Sequence, residues 1–199
     1  MPARLHLGVN VRNRQVIQAA WRTLNLRVPL ALAHANVGGA RFDTWFCPPG
    51  AGPVRARVQR NVRTLLQAMN NFLNGPTPYS VTVAMARQSS PNAATYGFVY
   101  PDLGRMPNRP GQIYFIYLGT AWNAPLAVPA SPPPSHARDT VVQVLAHELS
   151  HHFGTNARSI AGGLYTEEQY DNDALNLPQI SPIYASYNAD NYGYYIEEF

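Results

Sequence analysis

At 199 residues the chain is long enough for one domain with a sizeable core, and 46% of its residues are apolar. Charged residues make up only 13%, about half the usual share, which excludes a coiled coil or a disordered polar chain. The net charge of +4 rests on fifteen Arg and no Lys; only Arg55, Arg57, Arg60 and Arg63 cluster, as a solvated helix face does, so no nucleic-acid partner is expected.

Cys47 is the sole cysteine, so neither an intrachain disulfide nor a cysteine metal cluster can form. The N-terminal stretch lacks the apolar run of a signal peptide, and no apolar run is long enough to span a bilayer. A cytoplasmic product without a membrane partner is expected by default, with export by a signal-independent bacterial system as the other route.

In chain order, residues 11–26 carry Val16, Ile17, Ala20, Trp21 and Leu24 at helical spacing, with an end expected before Pro29. Together with its flanks, this makes residues 1–40 an N-terminal helical segment. A loop is expected through Gly38-Gly39 and Cys47-Pro48-Pro49-Gly50. Val54, Val58, Val62, Leu65, Leu66, Met69, Phe72 and Leu73 predict one amphipathic helix stopped by Asn74-Gly75-Pro76. Extended runs follow at 79–85, 95–100 and 112–118, and 124–135 reads as a Pro-rich surface loop. Residues 139–153 predict a helix closed by Gly154. Thr166 and Gln169 have capping-box spacing and predict another helix ending at Pro178, and a last one begins near Asn188. The fold class is α+β, in a single domain over 1–199.

His147-Glu148-Leu149-Ser150-His151 is an HExxH motif on a predicted helix. Residues four apart lie one above the other, so both imidazoles can reach one metal ion, and Glu148 falls beside them as a proton acceptor for an activated water. With six His and five Glu in the chain, about 0.004 such matches are expected by chance. One buried His is usually a core residue; this trio argues for Zn2+. His152 lies about 100° further round and reads as a residue at the surface or behind the ligands. No His follows His152, so the third ligand should be a downstream carboxylate: Glu167, Glu168, Asp171, Asp173, Asp190, Glu197 or Glu198. The acidic cluster at 166–173 is the natural donor, although carboxylates also favour a helix N-terminus for electrostatic reasons.

From residue 41 to the end the chain resembles the deuterolysin and peptidyl-lysine metalloendopeptidase family, the aspzincins. The resemblance rests on HELSH at 147–151, NADNY at 188–192 and QIYFIYLGTAW at 112–122, and more loosely on RFDTWF at 41–46. It implies a zincin-like fold, a small mixed sheet with an edge strand over the HExxH helix, residues 112–118 being the candidate for that strand. Family members carry a GTxDxxYG motif whose Asp is the third zinc ligand and whose Tyr stabilises the oxyanion. Here Ala157 stands where the Asp would follow Gly154-Thr155. Anchoring on Tyr170 places Glu167 in the ligand position, and anchoring on Thr166 places Glu168 there; the first is favoured.

The resemblance implies a zinc metalloendopeptidase acting on a protein or peptide substrate. Some members cut before Lys, and a Lys-free chain that shared this preference would resist its own activity. The lack of disulfides and of a leader fits a bacterial toxin or effector with a secretion apparatus or cognate inhibitor as partner, or equally a housekeeping peptidase. The alternative function is a catalytically inactive zinc-binding module that recognises peptides through its cleft.

Overall fold

The computed structural model describes residues 4–76, 80–86, 97–99, 113–119, 122, 140–155 and 168–199. The chain opens with a strand, β1 (Arg4–Gly8), which the helical reading of residues 1–40 did not foresee. It runs parallel to β2 (Ser80–Met85), with Leu5 opposite Val81 and Leu7 opposite Val83. β2 pairs in parallel with β4 (Ile113–Leu118), and β3 (Gly97–Phe98) adds antiparallel to the end of β4, giving the order β1-β2-β4-β3. The sheet is therefore mixed, and the fold is α+β. β3 covers only Tyr117 and Leu118 of β4, so among the described residues Ile113–Ile116 pair with β2 alone and form the sheet edge opposite β1.

Helix α1 (Val11–Val37) begins at Asn10, whose side chain accepts from the Asn13 amide, and runs straight through Pro29. Proline cannot donate to the carbonyl four residues back, yet that group is served: Asn74 Nδ2 donates to the Asn25 carbonyl at 3.2 Å. Ile17, Trp21, Leu24, Val28, Ala31 and Ala35 are all buried, so packing holds the helix past its weak point. Its main neighbour is α3 (Pro53–Asn74), which buries Val58, Val62, Leu65, Leu66, Met69, Phe72 and Leu73 as expected, with Gly75 at its end. Between them the expected loop stretches at Gly38-Gly39 and Cys47–Gly50 are non-helical and flank a short α2 (Ala40–Trp45), whose Phe42 and Trp45 are fully buried. Arg55 bridges the two helices through Asp43 at 2.6 Å, while Arg57, Arg60 and Arg63 face solvent.

Helix α4 (Val141–His151) sits at the centre, buried along nearly its whole length and packed on α1, on β3 and β4, and most extensively on α7 (Ala189–Glu197). Thr140 caps it by accepting from the Gln143 amide and is itself bonded to the buried Glu197 carboxylate of α7. α5 (Asp171–Ile180) and α6 (Pro182–Ala185) connect the site to α7. α5 starts five residues later than the capping-box reading placed it and passes through Pro178; Thr166 lies outside the described residues, as does the 124–135 loop. No helix among the described residues is long and apolar enough to cross a membrane.

Candidate metal centre

Two turns of α4 bring His147 and His151 onto one face, with Nε2 atoms 3.2 Å apart and rings nearly perpendicular. The far side of each ring fixes its tautomer. His147 Nδ1 faces Asp190 Oδ1 at 2.7 Å, and His151 Nδ1 faces the Thr155 carbonyl at 2.7 Å. An ionised carboxylate and a carbonyl can only accept, so both Nδ1 atoms carry a hydrogen, and in the neutral ring each Nε2 is left with its lone pair. At 3.2 Å two such lone pairs repel unless a proton or a metal ion lies between them.

A third electron-rich atom joins them. Glu168 Oε2 lies 3.6 Å from His147 Nε2 and 3.6 Å from His151 Nε2. The circle through the three atoms has a radius of about 2.0 Å, the length of a zinc–nitrogen or zinc–oxygen bond. The residues present thus fit a zinc ion in donor type, direction and spacing. His147, Glu148 and His151 also form a group whose ligating atoms all lie within 4.8 Å.

The Glu168 carboxylate reaches this position from an extended segment, residues 168–170, that is held by the stretch at 188–191. Asn188 pins the Gln169 backbone from both sides, accepting from its amide at 3.0 Å and donating to its carbonyl at 2.8 Å. The Ala189 amide, first in α7, donates to Glu168 Oε1 at 3.0 Å, leaving Oε2 for the imidazoles. Asn191 donates to the carbonyls of Trp45 and Ala174, tying α7 to α2 and α5. Asp190 serves three donors: His147, the Gln143 side chain at 2.9 Å and, through Oδ2, the Asp171 amide at 2.9 Å.

Of the other carboxylates named from the sequence, Glu167 lies outside the described residues. Asp171 accepts from the Tyr194 hydroxyl, and Asp173 is exposed on α5. Glu197 is bonded to Thr140, and Glu198 to Trp45 Nε1 and Arg41. Asp190 points at the back of His147, not at the space between the rings, which is how a carboxylate orients a ligand histidine. The sequence reading placed it only among possible ligands. The signal was the polar Gln143 in an apolar run, a residue that needed a buried partner.

Glu148 is 4% exposed, and its Oε2 has no hydrogen-bond partner among the described residues. Burial pushes its carboxyl pKa up, with Glu168 and Asp190 adding to the shift while His147 and His151 pull the other way. Gly97 of β3 lies directly over it: a Cβ there would come within 3.1 Å of Glu148 Oε1. For His147, burial alone would lower the pKa, but Glu168, Asp190 and Glu148 outweigh it and raise it to about 10, so the pocket favours positive charge. Tyr170 is 54% exposed, its ring parallel to His147 at 5.9 Å and its hydroxyl donating to Glu168 Oε2 at 3.0 Å. The packing of this phenol and then the Glu168 carboxylate raise its pKa. His152 is buried, not at the surface: its Nε2 meets the Phe115 carbonyl of β4 at 3.2 Å, its ring stands edge-on to Tyr114, and burial lowers its pKa to about 4.

No protein-family model matches the chain, and no curated protein matches its sequence. Among solved structures it is similar to a zinc peptidase from Grifola frondosa, over 95% of this chain and 96% of that one, with a TM-score of 0.61 and 23% identity. The chain shares that peptidase's fold. The likeness covers nearly all of both chains, while the roles of individual residues rest on the geometry described above.

Proposed function

We propose that the chain is a zinc-dependent metalloendopeptidase in which His147, His151 and Glu168 hold the ion. The observation that carries this reading is the convergence of two imidazole lone pairs and one carboxylate oxygen on a point about 2.0 Å from each. Zinc bound there supplies Lewis-acid polarisation of a peptide carbonyl and acidification of water.

The chain's own groups do the rest. Glu148, buried and with Oε2 unpartnered among the described residues, accepts a proton as water attacks and returns it to the departing amine. Burial raises its carboxyl pKa, the direction that makes it a better proton acceptor. Tyr170 stands at the rim with a hydroxyl that can turn from Glu168 to the developing oxyanion. The outer edge of β3, which Gly97 brings against Glu148, offers backbone groups to an extended peptide.

Within this reading, cleavage before Lys is the proposed specificity and delivery as a bacterial effector the proposed role, the first supported by the Lys-free composition. Mapping the new termini in a denatured Lys-rich protein checks the specificity; cuts without Lys at P1′ reject it.

The test of the activity joins metal content to turnover. The purified chain should hold about one zinc, lost to a chelator together with casein hydrolysis. Glu148→Gln should keep the zinc and lose roughly 10²–10⁴-fold in kcat. Wild-type turnover in that variant overturns the proposal, and a wild type that binds zinc and cuts nothing favours a peptide-recognition module.

A further inference from the structure

Asp171 is the one non-glycine residue among those described with a positive φ, +50°. L-residues other than Asn and Asp rarely enter this left-handed region, and a residue held there sits in a turn that the surroundings must fix. Two contacts fix it. The Asp171 amide donates to Asp190 Oδ2 at 2.9 Å, and its own Oδ1 accepts from the Tyr194 hydroxyl at 2.8 Å. Asp171 follows Tyr170, whose ring stacks on His147, and is the first residue of α5. Asp190, which takes the turn's amide on one oxygen, takes His147 Nδ1 on the other.

We infer that Asp171 is a positioning residue whose left-handed turn, latched by Tyr194, aims the Tyr170 phenol and completes the bonding of Asp190 behind His147. A right-handed or extended backbone at 171 would swing the amide away from Asp190 and rotate Tyr170 off the ring. Asp171 bonds Asp190 and Tyr194 and not the imidazole Nε2 atoms. Its side chain serves the backbone conformation, so glycine, which reaches φ > 0 without steric cost, should replace it better than alanine. The effect on turnover rests on the peptidase reading; the effect on the metal-free chain does not.

The experiment compares Asp171→Gly, Asp171→Asn, Asp171→Ala and Tyr194→Phe in the full chain. In the metal-free protein, Asp171→Ala should shift the low-field His147 Nδ1–H proton signal and lower Tm, while the Gly and Asn variants leave the signal near its wild-type position. In the zinc-loaded protein, Asp171→Ala should lower kcat roughly ten- to a hundredfold with KM little changed, since a misaimed group costs rate more than binding. Asp171→Gly and Asp171→Asn should stay within about threefold of wild type, with Tyr194→Phe in between. A glycine variant as impaired as the alanine variant overturns the inference, as does an alanine variant with an unmoved proton signal. Should the wild type bind no zinc and cut nothing, the peptidase reading falls, and the proton signal of the metal-free variants still decides the inference.

Discussion

The two walls of the metal pocket are built in opposite ways. On one side α4 sets His147 and His151 by its own repeat, because four residues advance a helix by just over one turn and bring side chains into line. On the other, Glu168 sits in an extended segment with no repeat of its own, held by Asn188, Ala189 and Asp190 some twenty residues further on. A site wall made by local periodicity takes the spacing of its side chains from within, and only the His147 ring looks to α7 for its orientation. A wall made by distant side chains loses its shape when they go.

The sharpest way to break this comparison is at the proposed third ligand, Glu168. Glu168→Ala should lower zinc affinity at least a hundredfold, read by competition with a chromophoric chelator, because two imidazoles alone leave the ion short of a protein ligand. Glu167→Ala should leave the affinity within about threefold of wild type, as expected of a substitution outside the ligand set. The reverse order would move the third ligand to Glu167 and remove the geometric basis of the site.

Asp190 links the walls, and its effect should rank next. Asp190→Ala frees the back of His147, unbinds the Gln143 side chain and leaves the Asp171 amide without its acceptor. Loss of a carboxylate behind a ligand histidine typically costs 10–100-fold in metal affinity, and that range is expected here. An affinity equal to wild type would mean that α4 alone orients the ring.

The same contrast explains what the sequence disclosed and what it hid. The α3 stripe, the strand at β4, the α4 helix and the start of α7 were legible because each follows a local rule of spacing, β-branching or capping. The end of α1 was not, because the Asn25 carbonyl that Pro29 leaves free is met by Asn74 from another helix. The start of α5 was misplaced because Asn188 holds Gln169 extended, against the capping pattern at 166–169. His152 follows the helix angle correctly, but that angle carries no knowledge that β4 covers it. At the site, the His pair and Glu148 could be named from the motif. The position of Glu168 rests on a backbone set from residue 188, and Glu167 lies outside the described residues.

The smallest expected effects compare one buried polar residue from each wall. Asn188→Ala removes both clamps on Gln169 and a bond to Asn191, and should cost about 1–3 kcal/mol in urea unfolding of the metal-free chain. Because Glu168 is then free to drift, zinc affinity should fall as well, by roughly tenfold. Ser150 is equally buried, bonding the His147 carbonyl and the Thr155 hydroxyl, and Ser150→Ala should cost about 0.5–1.5 kcal/mol. Zinc affinity should not follow, since the His151 ring keeps its bond to the Thr155 carbonyl and the helix repeat still sets the two Nε2 atoms. A parallel loss of affinity in Ser150→Ala would show that α4 also depends on contacts outside its own repeat, and the two walls would then differ in degree only.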